Sequence, residues 1–571
     1  MGSILIVVVS FGLYIIAYNT YGRYLAHKIF KLNPDAKTPA HTLRDDTDYM
    51  PTKKEILFGH HYSSIAGTGP IVGPAIGIIW GWVPCILWVV LGSIFMGAVH
   101  DFGALVISAR NQGKSIGELC AQIINSRVRT LLLLITFFSL WIVIALFGLI
   151  IALLFDKFPH AVFPIWMEIP IAMWLGYMVY KRQGNVTILA IIAVVMMYIT
   201  IIIGAYFPLM MPTLLGLQPL TLWIIVLFAY AYIASVMPVW KLLQPRDYIN
   251  AHELFIAMGL LLIGVFVAHP KIVAPAVNLH PQGAPPILPF IFVTIACGAI
   301  SGFHSLVSSG TSSKQLNNEK DAQFIGYGSM LMEGVLAILV IIAVAGGIGM
   351  FLKTQDGTVL TGVNAWNYQY ISWASASGLG AKVGAFVNGA ANLLNSYGIP
   401  RGIALTIMGV FVASFAGTTL DTATRIQRYV ITELAINYNI KPLATRHGAT
   451  TFAIISALIL AMAQGGGKGG LILWPLFGTT NQLLAGLALL VITVYLLKNK
   501  KPTWYTLYPM IFMIIMTGWA MIKNISIFHN GHQWHLFVIG IIVFVLNIWM
   551  VIEAIISWRT IKIRRLTDQN Y

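Results

Sequence analysis

The chain has 571 residues, 58% hydrophobic and 9% charged, against about 25% charged in a soluble domain, which leaves too little polar surface to cover a water-soluble globule. The net charge of +16 invites nucleic-acid binding, but the basic residues gather in alternate loops between apolar runs, which assigns them to membrane topology and excludes that partner. Three scattered cysteines, Cys85, Cys120 and Cys297, suggest neither a disulfide framework nor a metal cluster, and no motif calls for a cofactor.

Apolar runs of about 17 to 26 residues recur along the chain, each long enough to cross about 30 Å of hydrocarbon. Lipid offers the backbone no hydrogen-bond partners, so such runs form helices or closed barrels, and continuous rather than alternating runs form helices. The sequence predicts an all-α polytopic membrane protein, one domain over residues 1–571. Fifteen spans begin near residues 4, 62, 84, 130, 163, 186, 220, 254, 287, 325, 402, 448, 471, 503 and 535. The first, Ile4 to Tyr18, lacks a basic flank and a cleavage site and reads as a retained helix. The stretch Asn33 to Glu55 carries both signs of charge and reads as a cytoplasmic loop.

The second span opens on Gly59-His-His-Tyr-Ser-Ser-Ile-Ala-Gly-Thr-Gly-Pro70, followed by Gly73-Pro74. Proline removes a backbone donor and glycine loosens the helix, so the ladder is expected to break at mid-membrane, where freed N–H and C=O groups bind ions or substrate. Close packing of helices through small residues is the alternative. Candidate substrate contacts here are His61, Gly67, Thr68 and Gly69. In the third span, Asp101 sits about 12 Å from the inner end at 1.5 Å per residue. Ionisable groups at such depth are costly and therefore functional candidates, the alternatives being a satisfied pair or a vestibule residue.

Further along, Gly302-Phe-His-Ser-Leu-Val-Ser-Ser-Gly-Thr-Ser312 aligns without gaps to residues 59–69, matching Gly, His, Gly and Thr at an offset of 243. It lies seven spans later and runs the opposite way, as an inverted repeat requires. His304, Ser309, Gly310 and Thr311 therefore join the candidate substrate site, with a second break expected over Ser308 to Thr311. Glu333, in the next span, matches Asp101 in depth, and these two carboxylates are the expected proton-coupling pair. Residues 383–397, with Asn388, Asn392 and Asn395, read as an extracellular re-entrant or surface helix, because a span there would reverse the charge bias of every later loop. The run Gln464 to Gly470 reads as a flexible turn without the Lys-Ser/Thr ending of a phosphate loop. Asn481 and Gln482, deep in the span after Trp474-Pro475, either coordinate substrate or join helices. Asp421 and Glu553 fall at cytoplasmic helix ends, where solvation is expected.

With these spans, 28 of the 35 lysines and arginines fall on one side and 7 on the other. The positive-inside rule then places the N-terminus outside and the C-terminus in the cytoplasm. No Walker motif is present, so transport would draw on an ion gradient: protons suit the carboxylates and histidines, sodium the Ser/Thr-lined breaks. A channel would show polar stripes on several repeated helices, whereas here the polar groups cluster at two places. An enzyme is not indicated, since His252-Glu253 is not followed by a second histidine at metal-ligand spacing and no Ser/His or paired-Asp signature stands out.

Gly59-His-His to Gly73-Pro74, Val99-His-Asp101, Leu243-Gln-Pro-Arg-Asp-Tyr248, Gly298-Ala-Ile-Ser-Gly-Phe-His304, Thr418-Thr-Leu-Asp-Thr-Ala-Thr424, Trp474-Pro-Leu-Phe-Gly478 and Thr480-Asn-Gln482 together resemble the carbon starvation protein A family, over about residues 10 to 490. The resemblance implies a prokaryotic inner-membrane secondary transporter of pyruvate or short peptides, induced when carbon is scarce. It also implies a LeuT-like inverted-repeat core with discontinuous helices over residues 1–490, followed by C-terminal helices and a basic tail over 491–571. The sequence departs from the family in carrying His100 where some members have Gln, and in a C-terminal region shorter than the longest members have. Both departures leave pyruvate, peptide and other carboxylates open as substrate, with the bilayer and a coupling ion, H+ or Na+, as partners.

Overall fold

A computed structural model of the chain describes residues 2–123, 125–214, 216–354, 356–377, 379–462 and 469–567. Among them, twelve helices are long and apolar enough to cross a membrane, and the bent pair Lys54–Ile65 and Gly69–Trp80 makes a thirteenth span. The remaining two of the fifteen expected spans correspond to shorter pieces: Arg446–Met462, and the broken Ile287–Thr294 and Gly302–Val307. The count of fifteen crossings is therefore not established, although each predicted start falls on a helix or, at Thr503, one residue before it.

Outer helices bury small residues and turn branched ones outward. On Val186–Tyr206, Ala190, Ala193 and Gly204 face inward while Ile188, Ile191, Val195, Ile199 and Ile202 are exposed, as a lipid-facing stripe requires. The central helices carry the polar residues and are almost wholly buried.

The helices that build the site are labelled in chain order: α1 Lys54–Ile65, α2 Gly69–Trp80, α3 Trp82–Arg110, α4 Leu243–Ala268, α5 Ile287–Thr294, α6 Gly302–Val307, α7 Glu319–Met350, α8 Leu379–Asn395, α9 Arg401–Asn437, α10 Leu473–Lys498 and α11 Trp504–Asn530. Between α1 and α2 the helix breaks at residues 66–68 and bends by 42°. Pro70, at the start of α2, supplies no N–H, which costs nothing at a helix start and favours restarting there. Between α5 and α6 the chain is non-helical over residues 295–301, and Gly298 has φ +90°, a conformation open to glycine. The two breaks adjoin. A Cβ on Gly69 would lie 2.3 Å from Cys297 Sγ, and one on Gly73 2.7 Å from the Thr294 carbonyl oxygen.

The second break is thus not at Ser308 to Thr311. That stretch is a π-helical turn, Ser308–Ser312, continuing α6 into Ser313–Gln315. Three hydroxyls in and beside it donate back along the helix: Ser309 donates to the Ser305 carbonyl (2.7 Å), Thr311 to Val307 (3.0 Å) and Ser313 to Ser309 (3.0 Å). Hydroxyls bonded back one turn satisfy themselves without opening the ladder. Gly67 and Gly298, at the two breaks, are 231 positions apart, about three helical turns short of the offset of 243 at which the sequence pattern matches.

The segment read as re-entrant or surface is α8, and its surface alternative fails. Ala385, Phe386, Val387, Ala390, Ala391 and Leu394 are buried, against α2, α4, α7 and α9. Its asparagines anchor it: Arg401 donates to Asn392 (2.5 Å) and Asn388 (3.2 Å), and Asn392 donates to the Gly347 and Phe351 carbonyls. The turn expected over 464–470 lies largely outside the described residues, as does Lys468.

Candidate functional site

The two breaks bring buried titratable side chains into one line. Asp101 on α3 accepts from His100 Nδ1 through one oxygen (2.7 Å) and is bonded to His304 Nδ1 on α6 through the other (2.9 Å). His304 Nε2 stands 3.4 Å from Glu333 Oε2 on α7, an ion-pair distance without hydrogen-bond alignment. The other Glu333 oxygen accepts the Gly298 N–H (3.1 Å), so the line ends on the backbone of the second break. All four side chains have no exposed surface. Ionisable groups are kept at such depth where they pair with one another, as these do. His304 is therefore the link between the two carboxylates that the sequence singled out. His100 belongs to the same line, although in the sequence it stands out only as a departure from the family pattern.

Asn481 and Gln482 brace the second break from its two sides. Asn481 on α10 accepts the Phe303 N–H (2.8 Å) at the first turn of α6 and donates to Ser301 Oγ (2.9 Å). Gln482 donates to the Phe292 carbonyl of α5 (2.9 Å). Of the two roles open to them, the contacts made are helix-joining ones. At the first break, Gly67 packs against Thr419 and Phe147, and the hydroxyls of Thr68 and Thr419 are buried without partners. A buried unpartnered hydroxyl is unusual and marks a place able to receive a ligand or ion. His61 Nδ1 meets Ser312 Oγ (2.8 Å), joining α1 to the π-helical turn.

Ser309 and Gly310 do not share the space at Gly67–Gly69. They line a separate small cavity with Ile116, Glu118, Lys314 and Glu433, and Ser309 Oγ accepts the Ile116 N–H (3.1 Å). Thr311 is tied to its own helix. A cavity of about 660 Å³ instead borders the second break at Thr294 and touches α2 at Ile76, lined also by Phe290 and Val293 of α5 and by Trp474 and Pro475 of α10. A larger groove of about 770 Å³, between Phe11, Phe58, Phe255 and Val335, is almost wholly apolar and lies away from the breaks.

A second buried cluster was missed. Arg246 on α4 donates to Glu168 (2.8 Å), to Tyr230 (2.7 Å) and to Asp421 on α9, and Ser414 donates to the other Glu168 oxygen. Asp421 is 1% exposed, so the solvation expected for it is wrong: its charge meets a guanidinium instead of water. Beside this cluster, His60 Nδ1 and Asp247 are 2.5 Å apart. The signal was present in Leu243-Gln-Pro-Arg-Asp-Tyr248. As for metals, Cys297, His304 and Glu333 place ligand atoms within 4.8 Å of one another, a thiol–imidazole–carboxylate set suited to a borderline transition metal, but two of the three already serve the carboxylate–histidine line.

The family described as Carbon starvation protein CstA matches residues 2–520. A peptide transporter CstA of Campylobacter jejuni is 34% identical, the match covering 93% of this chain and 82% of that one. A pyruvate/proton symporter BtsT of Escherichia coli strain K12 is 32% identical over 93% of this chain and 83% of its own length. A peptide transporter CstA of Bacillus subtilis strain 168 is 32% identical over 98% and 97%. Among solved structures, an Eremococcus coleocola manganese transporter superposes with a TM-score of 0.53 at 12% identity, covering 91% of this chain and 99% of that one, which shows a shared transporter fold of the LeuT-like type. The relatives are transporters rather than enzymes. This chain is a multi-pass membrane transporter, and it belongs to the carbon starvation protein CstA family.

Proposed function

We propose that the protein is a secondary active transporter that imports a small organic nutrient, pyruvate or a short peptide, with protons, across a prokaryotic inner membrane during carbon limitation. The observation that carries this reading is the buried line His100–Asp101–His304–Glu333, which ends on the Gly298 N–H of the broken helix. A proton arriving on Glu333 neutralises the acceptor of that N–H and weakens the bond. The N–H is then free for a substrate carboxylate, so proton and substrate load together. Departure of the proton through His304 and Asp101 restores the Glu333–Gly298 bond and releases substrate. The sign of this coupling is symport, in keeping with a relative named a pyruvate/proton symporter.

The orientation proposed is N-terminus outside and C-terminus in the cytoplasm, supported by the excess of basic residues on the C-terminal side. Sodium is the second reading. It is favoured by the unpartnered hydroxyls of Thr68 and Thr419 and by the Ser64–Thr422 contact (3.2 Å) beside the first break.

The test is uptake of labelled pyruvate and labelled dialanine into proteoliposomes, with pH and sodium gradients imposed separately. Accumulation driven by an inward proton gradient alone is expected. Accumulation that follows the sodium gradient and ignores pH would overturn the proton reading.

A further inference from the structure

We propose that Lys382 is the cation that receives the substrate's carboxylate in the outer vestibule, ahead of the two breaks. The inference rests on the carrier reading above and names the charged end of the cargo.

Lys382 lies on α8 and lines the cavity of about 660 Å³ that reaches α2 and α5. It is 5% exposed, yet it forms no ion pair among the described residues. Its partner among the described residues is the Trp474 ring, whose centroid is 5.3 Å from Nζ. A buried ammonium is normally held by a carboxylate or several acceptors, because leaving it with an aromatic face alone forgoes most of its lost hydration. A carboxylate supplied by a visiting molecule would complete it. The surroundings suit such a visitor: Trp373, Trp474 and Phe528 give apolar walls, and Asn524 and Gln533 add polar groups.

The cavity also leads to the right place. Thr294, on its wall, is the last residue of α5 before the second break, and Ile76 belongs to the half-helix that follows the first. In the proposed orientation this is the outer side, since Trp474 and Asn524 lie far from Lys498 and Trp504, the inner ends of α10 and α11. A carboxylate held at Lys382 next to Trp474 thus waits in a cavity whose wall includes Thr294, the residue at which α5 gives way to the second break.

The test compares the wild-type full chain with Lys382→Gln and Lys382→Arg, in proteoliposomes and in detergent. For labelled dialanine, Lys382→Gln should raise KM about tenfold or more, the loss expected for one charge-assisted hydrogen bond, with little change in kcat. Lys382→Arg should retain most of the affinity. In detergent, millimolar dialanine and pyruvate should raise the wild-type Tm more than dialanine amide does, and Lys382→Gln should abolish that preference. Equal KM and an undiminished preference for the free acid in Lys382→Gln would overturn the inference, as would the absence of any stabilisation by free acids in the wild type. Failure of the wild type to take up either probe would overturn the carrier reading instead. Stabilisation by the free acid that depends on Lys382 would still support a carboxylate site there.

Discussion

The protein buries two clusters of charge, and they are built from different chemistry. In one, Arg246 lies between Glu168 and Asp421, with Tyr230 donating to the same Asp421 oxygen as the guanidinium and Ser414 donating to the second Glu168 oxygen. Arginine keeps its charge at every accessible pH, so this cluster is fixed: a planar cation locked by two anions on two other helices. In the other, His100, Asp101, His304 and Glu333 contain no permanent cation. Every member can gain or lose a proton, and histidine does so near neutral pH. The first cluster fastens α4 to α9 and to the helix Pro159–Tyr180. The second can change charge state beside a broken helix. The two clusters are equally buried; what distinguishes them is titratability.

The largest effect should come from breaking the fixed cluster. Arg246→Leu leaves two carboxylates buried without their cation, which costs about 3–5 kcal/mol. The expected outcome is loss of folded protein, seen as failure to recover a monodisperse species in detergent. A stable, correctly folded Arg246→Leu variant that merely stops transporting would place this cluster in the transport cycle and erase the contrast.

The titratable cluster should behave in the opposite way. Asp101→Asn and Glu333→Gln keep shape and most hydrogen bonds but remove a proton site. Both should abolish proton-driven accumulation, by at least about tenfold, if the coupling differs by the pair's full charge interaction. Counterflow of substrate, which needs no net proton movement, should persist, and Tm should change little. Unchanged accumulation in Asp101→Asn would return the line to packing.

The fixed cluster was the harder of the two to read from sequence, and the reason is physical. Hydropathy treats one helix at a time, so Arg246 and Asp421, near helix ends, read as a loop cation and a solvated anion. Their compensation comes from a residue 175 positions away, and no local pattern records it. Asp101 and Glu333 were legible because each sits deep within an apolar run, where charge is conspicuous on its own. The first break was legible through Gly67 and Pro70, which weaken a helix by themselves. The second was misplaced because residues 295–301 include Cys297, Ala299 and Ile300, apolar residues that carry no breaking signal apart from Gly298. Within the stretch expected to break the chain, Ser308 to Thr311, the hydroxyls of Ser309 and Thr311 donate back along the helix.

Glycine substitutions sharpen the same distinction at the breaks. A Cβ on Gly67 would lie 2.2 Å from Thr419 Oγ1, whereas one on Gly310 meets Ile426 at 3.4 Å, an ordinary contact. Gly67→Ala should therefore lower transport severely by displacing the first break, and Gly310→Ala should leave KM within about twofold, since an ordinary contact forces no off-rotamer shift. A large KM effect at Gly310 would bring the π-helical turn back into the substrate path. Initial uptake rates at varied dialanine concentration read both.

The smallest expected effect lies outside the membrane helices, where Asp48 of the loop 33–55 hooks onto α9. It accepts from Tyr429 (2.6 Å) and Arg425 (3.2 Å), with Arg428 at 3.7 Å, and its side chain is 21% exposed. Burial pushes its carboxyl upward in pKa, but Arg425, Lys314 and Arg428 together outweigh that and hold it below the usual carboxylate value. A carboxyl held low in the folded state stabilises above its unfolded value, near about 4, and that stabilisation is lost as pH falls through the folded value. Asp48→Asn should therefore cost about 1 kcal/mol at neutral pH, a fall of a few degrees in Tm, with transport largely intact. The gap between variant and wild type should then close as pH is lowered below about 4, because the wild-type carboxyl becomes neutral too. A gap that persists at low pH would mean that the loop is held by shape rather than charge. Asp48 would then resemble neither of the buried clusters, since its contribution would survive the loss of the ion pair.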